Sequence, residues 1–231
     1  MTSKRSNGWL SFVPILAGAT FGDRLLACIG AFAGIAAATY TGVGLQASIS
    51  AAPYLFASIG ASAVLVFAVP ASPLAQPWPV IGGNVVSAFA GVATAQLVDN
   101  IYLAGALSVS AAIIAMSVLR CLHPPGGGTA LVPVLGGPAI SALGYSFALT
   151  PVATNAFTLV LIGLAFHRFT HHSYPHRAER AFPQTDVGVI RADIDRALAD
   201  TGETFDISPD DLEALLTRAE RYAEERERNS K

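Results

Sequence analysis

The sequence predicts an all-α fold, a polytopic bundle of membrane-spanning helices followed by a short charged helical tail. Three observations predict it. Hydrophobic residues make up 52% of the 231 residues and charged residues 13%, and the mean hydropathy of +0.51 lies outside the range of an ordinary soluble domain. Between Leu25 and His167 the only charged side chains are Asp99 and Arg120, whereas Arg168 to Lys231 carries most of the remaining charge. Small residues also crowd the apolar stretches, as at Gly30, Ala31, Ala33, Gly34, Ala36, Ala37 and Ala38; lipid offers no hydrophobic drive for helix association, so close backbone contact must supply it. A soluble core is excluded, because surface helices need polar faces and these have almost none. A net charge of −2 gives no basic field, so nucleic acid is excluded as a partner. Cys28 and Cys121 sit in or beside apolar stretches and imply neither a disulfide framework nor a zinc site.

Residues 1–24 form a cytoplasmic or interfacial N-terminal segment, polar from Met1 to Trp9. Its segment Trp9 to Thr20 is apolar but interrupted by Pro14, which suits an interfacial helix better than a span, and it has no removable signal, so a cytoplasmic N-terminus is expected. Residues 25–167 hold the membrane domain. A spanning helix needs roughly 20 apolar residues, which predicts six spans: Leu25 to Leu45, Ala51 to Val69, Val80 to Val98, Ile101 to Leu119, Thr129 to Phe147 and Pro151 to Phe166. Asp99 and Asn100 suit a turn cap between the third and fourth. Residues 168–231 form a cytoplasmic tail of two amphipathic helices, Asp186 to Asp200 and Ser208 to Arg228. Ser208 is the N-cap of the second, Pro209 opens its first turn, and Asp210 and Asp211 face its dipole. His167, His171, His172 and His176 suit an interfacial basic collar rather than a metal cluster. Arg24, Arg120 and Arg168 near the span ends place both termini on the cytoplasmic side.

Two segments about 67 residues apart look alike, Gly60-Ala61-Ser62-Ala63-Val64-Leu65 and Gly127-Gly128-Thr129-Ala130-Leu131-Val132, each preceded by proline. The membrane domain therefore reads as two three-segment repeats with broken helices. Three crossings per half would invert the halves, the arrangement that Arg120 on the inside favours; re-entrant middle segments would leave four crossings and parallel halves.

The run Arg120-Cys121-Leu122-His123-Pro124-Pro125-Gly126-Gly127-Gly128-Thr129 cannot continue a membrane helix. Irregular backbone at membrane depth lines a cavity or is buried in protein. Helix starts at Ser62 and Thr129 would aim N–H groups at such a cavity, an anion site in outline. The candidate substrate-binding residues are His123, Ser62, Thr129, Gly127, Gly128, Gly60, Arg120 and Asn84, with Pro124, Pro125, Gly126, Pro73, Gln76 and Pro77 shaping the turns. Each has a plainer alternative: Arg120 as an anchor, His123 as a brace for the proline turn. No cofactor, metal or catalytic group is expected; an intramembrane serine hydrolase with Ser62 as nucleophile and His123 as base is the lesser alternative.

Gly60 to Leu65, Ser72-Pro73-Leu74-Ala75-Gln76-Pro77 with Gly82-Gly83-Asn84, and Leu122-His123-Pro124-Pro125 with Gly127 and Thr129-Ala130-Leu131 together resemble the family of integral membrane proteins named for its His-Pro-Pro motif. The resemblance covers about Leu25 to His167 and departs at Gly126 and Gly128, where the family more often has alanine. It implies four spans rather than six. It also implies a transporter or channel for a small anion such as nitrite, the role ascribed to members in plastids and cyanobacteria. The tail resembles the linker that leads into nucleotide-sensing CBS domains in longer bacterial members, which makes a membrane sensor the other alternative. A bacterial inner membrane, a lipid environment and a homo-oligomer complete the expectation.

Overall fold

The computed structural model describes residues 20–45, 52–178, 189–201 and 205–229. The interfacial helix expected at Trp9 to Thr20 falls, but for Thr20, outside them. Among the described residues the chain is helical: α1 (Phe21–Leu45), α2 (Ala52–Ala68), α3 (Pro77–Leu97), α4 (Ile101–Val118), α5 (Pro125–Leu135), α6 (Gly137–Ser141), α7 (Ala153–His167), α8 (Arg191–Thr201) and α9 (Pro209–Arg228). A 3-10 turn at Pro73–Ala75 precedes α3 and a π turn at Ala148–Val152 leads into α7.

Local chemistry sets the helix ends. Thr20 and Asp23 cap α1 reciprocally, the Asp23 N–H donating to Thr20 Oγ1 and the Thr20 N–H to Asp23 Oδ2. The Asn100 side chain accepts from the amides of Tyr102 and Leu103 and so caps α4, as expected. α4 stops in a Schellman turn: the Cys121 N–H reaches Met116 O at 2.9 Å, the Arg120 N–H reaches Ser117 O at 3.2 Å, and Arg120 itself takes φ 54. Ser208 caps α9 by accepting from the Asp211 amide, again as expected.

Contacts at the helix ends fix the direction of each segment. Arg24 Nη1 donates to Ala68 O at 2.9 Å, which sets the start of α1 beside the end of α2. Trp78 Nε1 donates to Leu119 O at 3.2 Å, setting the start of α3 beside the end of α4. His167 on α7 meets Val66 O at 2.9 Å, and the Tyr174 hydroxyl donates to Ala75 O at 3.0 Å. Six segments therefore alternate in direction, and Arg24, Arg120, Arg168 and the tail lie at one end. α1 packs against α2 and α7, while α4 packs against α5 and α3. This is the exchange expected of two halves in which α1, α2 and α3 correspond to α4, α5 and α7. Corresponding segments run oppositely, so the halves are inverted.

The count of six full spans is corrected. Among the described residues four segments have span length and apolarity, α1, α3, α4 and Ala148–His167. α5 has only 11 residues, about 16 Å against a hydrocarbon core of about 30 Å. The fifth expected span is not one rod: α5 begins at Pro125 rather than Thr129 and ends at Gly136, after which Gly137 at φ +71 and Pro138 turn the chain.

Missing side chains let the segments touch. A Cβ on Gly91 would lie 2.2 Å from Ala130 O, so α3 and α5 meet backbone to backbone. Gly30 and Gly34 receive the Phe67 ring, where a Cβ would come within 2.5 Å and 2.6 Å of it. Phe67 then meets Phe166 edge-on at 5.5 Å.

Candidate functional site

Buried polar side chains gather where α2 crosses α5. Ser58 and Ser62 project from α2, Asn84 from α3, Thr129 from α5 and His123 from the loop between α4 and α5; Ser62, Asn84 and His123 have no exposed surface at all. Gly83 makes room for the histidine, since a Cβ there would stand 2.5 Å from His123 Cβ and 2.7 Å from Cys121 O. His123 Nδ1 lies 2.9 Å from Leu74 O, and a carbonyl only accepts, so Nδ1 carries a proton. In the neutral ring Nε2 then accepts from the Ser62 hydroxyl at 2.8 Å. Asn84 joins the two halves of the cluster: Nδ2 donates to Val80 O at 2.8 Å and to Ser62 Oγ at 3.3 Å, while Oδ1 accepts from Thr129 at 2.6 Å and from Ser58 at 3.1 Å. Ser58 and Thr129 also touch through their hydroxyls, and Ser58 reaches Pro125 O at 3.0 Å.

The network has a directional switch. With His123 neutral, Ser62 donates to it. With His123 protonated on both nitrogens, Nε2–H must donate to Ser62 instead, and the Ser62 hydroxyl turns to Ser58 O, 3.1 Å away. One proton thus reverses the Ser62–His123 hydrogen bond and redirects the serine hydroxyl without moving a backbone atom.

Several expected features are corrected here. Ser62 is not a helix start; it lies mid-way along α2. Thr129 stands in the second turn of α5, not at its beginning. Nor does the start of α5 offer free amides: Pro124 and Pro125 have none, and the Gly126 and Gly127 N–H groups already donate to His123 O and Pro124 O at 2.8 Å and 3.0 Å. An anion held between two helix N-termini has no geometric basis, since the donors present are hydroxyls, an amide side chain and the imidazole. Arg120 is exposed and left-handed at the end of α4, outside the cluster. Gly60, Gly127 and Gly128 also stand clear of the cluster's hydrogen bonds: a Cβ would meet nothing within 4 Å at Gly60, and only Val109 at 3.8 Å and Ser58 at 3.9 Å at the others. Gly126 is the tight one, its Cβ position lying 2.6 Å from Ser87 Oγ and 3.1 Å from Gly83 O.

Pro73, Gln76 and Pro77 shape the support of the cluster. Ser72 caps the 3-10 turn at Leu74 N, and Gln76 Nε2 donates to Pro70 O and Ser72 O at 2.9 Å and 2.8 Å while its Oε1 accepts from the His176 amide. This loop presents Leu74 O to His123. The tail holds the same loop from outside, Ser72 Oγ donating to Asp206 Oδ1 at 2.8 Å. Burial pushes the Tyr174 phenol well up, so it remains a donor to Ala75 O. The histidine collar is only partly a collar. His167 is buried against Val66 O, while His172 lies 3.7 Å from Asp23 and His176 2.7 Å from Asp211. Among the described residues no three metal-ligating side chains come together.

Sequence reasoning missed Ser58 and the Leu74 carbonyl. The offset of about 67 residues that pairs Ser62 with Thr129 also pairs Ser58 with Pro125, and that signal could have found the serine.

The profile of the HPP transmembrane region matches residues 17–175. Two curated relatives from Dictyostelium discoideum, each described as a transmembrane protein, are 39% identical over 127 residues and 40% identical over 126. The matches cover 53% and 52% of this chain but 40% and 44% of the relatives, so the chain spans less than half their length. No solved structure matches. A histidine seated against Gly83, the proline pair after it and a profile match over most of the chain converge on one conclusion: the chain belongs to the HPP family of transmembrane proteins.

Proposed function

We propose that the protein is a transporter or channel for a small monovalent anion, with nitrite, the solute implied by the family resemblance, as the candidate. The observation that carries this reading is the cluster of Ser58, Ser62, Asn84, His123 and Thr129, buried where α2 meets α5, a segment too short to span, inside an apolar bundle. Polar groups in a bilayer are costly and mark solute pathways. Three hydroxyls, one amide and one imidazole supply donors without a carboxylate among them, which suits a singly charged oxyanion that must be held weakly enough to leave. Passage exchanges the internal hydrogen bonds for bonds to the anion, and the proton on His123 compensates its charge. The inverted halves suit alternating access by rocking about this crossing. The arginine-rich end faces the cytoplasm of a bacterial inner membrane.

The test is nitrite uptake into liposomes containing the purified chain. We expect saturable uptake by wild type and a fall of about tenfold or more in His123→Ala, the cost of about 1.4 kcal/mol or more of lost interaction. Uptake undiminished in His123→Ala removes the histidine role; no uptake of any small anion by the purified protein favours a sensor instead.

The Ser62–His123 distance also fits a nucleophile and its base. However, Ser62 sits within a helix whose amides are already bonded, and the third group is a carbonyl rather than a carboxylate. Labelling of wild type but not Ser62→Ala by a fluorophosphonate would favour a hydrolase.

A further inference from the structure

The inner stripe of α7 is apolar or small except near its ends: Ala156, Leu159, Val160 and Gly163 are buried, with Asn155 before them and His167 after. His167 is satisfied by Val66 O and Thr170. Asn155 is not. Its residue is 6% exposed, and Oδ1 is the one buried side-chain polar atom among the described residues with no hydrogen-bond partner. An amide oxygen left so in an apolar bundle keeps its full desolvation cost, which a purely structural position would not retain.

Its depth in the bundle is informative. α2 and α7 run in the same direction, and Gly163 lies against Val66, where a Cβ would come within 2.7 Å of the valine. Eight residues back along each helix, about 12 Å, Asn155 comes level with Ser58. α3, which runs the opposite way, also packs against α7, and its Asn84 accepts from Ser58 itself at 3.1 Å. One asparagine is fully engaged with Ser58, Ser62 and Thr129, whereas that of α7, level with Ser58, leaves its Oδ1 without a partner.

We propose that Asn155 is a solute-contacting residue of the pathway, the second amide of the site, opposite Asn84. A half-turn of its side chain exchanges a carbonyl for an amino group, so it can donate to a small oxyanion or accept from the protonated acid. The inference rests on the transport reading above, and it adds a residue on α7 that must be wet during transport, whereas a packing residue would stay dry.

The test is cysteine accessibility in the full chain with Cys28→Ser and Cys121→Ala, using 2-aminoethyl methanethiosulfonate, which reacts with thiolates and so only where water reaches. Arg168→Cys is the wet control, and Ile114→Cys, 65% exposed on α4, is the lipid-facing control. We expect Asn155→Cys to react at least about tenfold faster than Ile114→Cys, and millimolar nitrite to slow that reaction about threefold or more. A rate equal to that at position 114 overturns the inference. Slowing by nitrate or formate but not nitrite, in a protein that moves no nitrite, keeps the residue's role and discards nitrite; slowing by none of the three overturns the role. If the cysteine variant does not purify as wild type does, Asn155→Ser and Asn155→Leu in the native chain ask the same question through anion uptake. Loss in the leucine variant with retention in the serine variant supports the inference, and wild-type KM in the leucine variant overturns it.

Discussion

The Asn84 carboxamide uses both ends, accepting from two hydroxyls and donating to a third and to a backbone carbonyl. Asn84→Leu strips Ser58 and Thr129 of their common acceptor inside an apolar bundle. It should destabilise the protein by about 2–4 kcal/mol, read as a lower thermal midpoint in detergent, because unpaired buried polar groups cost more than the bonds they once made. Arg120 offers the contrary case. A non-glycine residue at φ 54 costs about 1 kcal/mol in a turn that glycine would close freely. Arg120→Gly should therefore raise the midpoint while leaving anion uptake within about twofold of wild type. A fall in uptake without loss of stability would instead return the guanidinium to the pathway.

Among the elements, α5 is held by what α3 lacks. Gly91→Ala would drive a methyl into the Ala130 backbone carbonyl, which no rotamer change relieves, so about 2 kcal/mol or more should be lost. Gly128→Ala should do the opposite. Its Cβ would meet Ser58 only at ordinary contact distance, and an alanine in a helix is favoured by about 0.5–1 kcal/mol, which chemical unfolding in mixed micelles would register. The difference explains why the departures from the family pattern at Gly126 and Gly128 are not equivalent: one sits in a tight crossing and the other faces outward. The helix boundaries were legible where a side chain caps them, as at Asn100 and Ser208. They were not legible at Ser62, because a Gly-Ala-Ser run looks like a break in sequence but continues a helix when neighbouring segments enclose its backbone.

For the whole molecule, alternating segment directions place Arg24, Arg120 and Arg168 at one end and Asn100 at the other. Cysteines introduced singly at 24, 120 and 168 should label with an impermeant maleimide from one face of the membrane, and a cysteine at 100 from the opposite face. Labelling of position 120 from the same face as 100 would refute the inverted arrangement. The tail belongs to the same end, where Asp206 meets Ser72 and Asp211 meets His176. Asp206→Ala should loosen α8 and α9 from the loop that supports His123, seen as faster trypsin cleavage after Arg191 and Arg196, with little change in the thermal midpoint of the membrane bundle. Composition, punctuation and the repeat by themselves determined that the chain is a membrane bundle of two related halves with its backbone broken at the His-Pro-Pro turn, because a bilayer allows apolar helices almost no alternative. Tertiary structure alone decided that α5 is short, that the prolines leave it without free amides, and that Ser58 and the Leu74 carbonyl complete the cluster. Those outcomes depend on which surfaces meet, and small apolar residues of nearly uniform composition do not encode that in any local pattern.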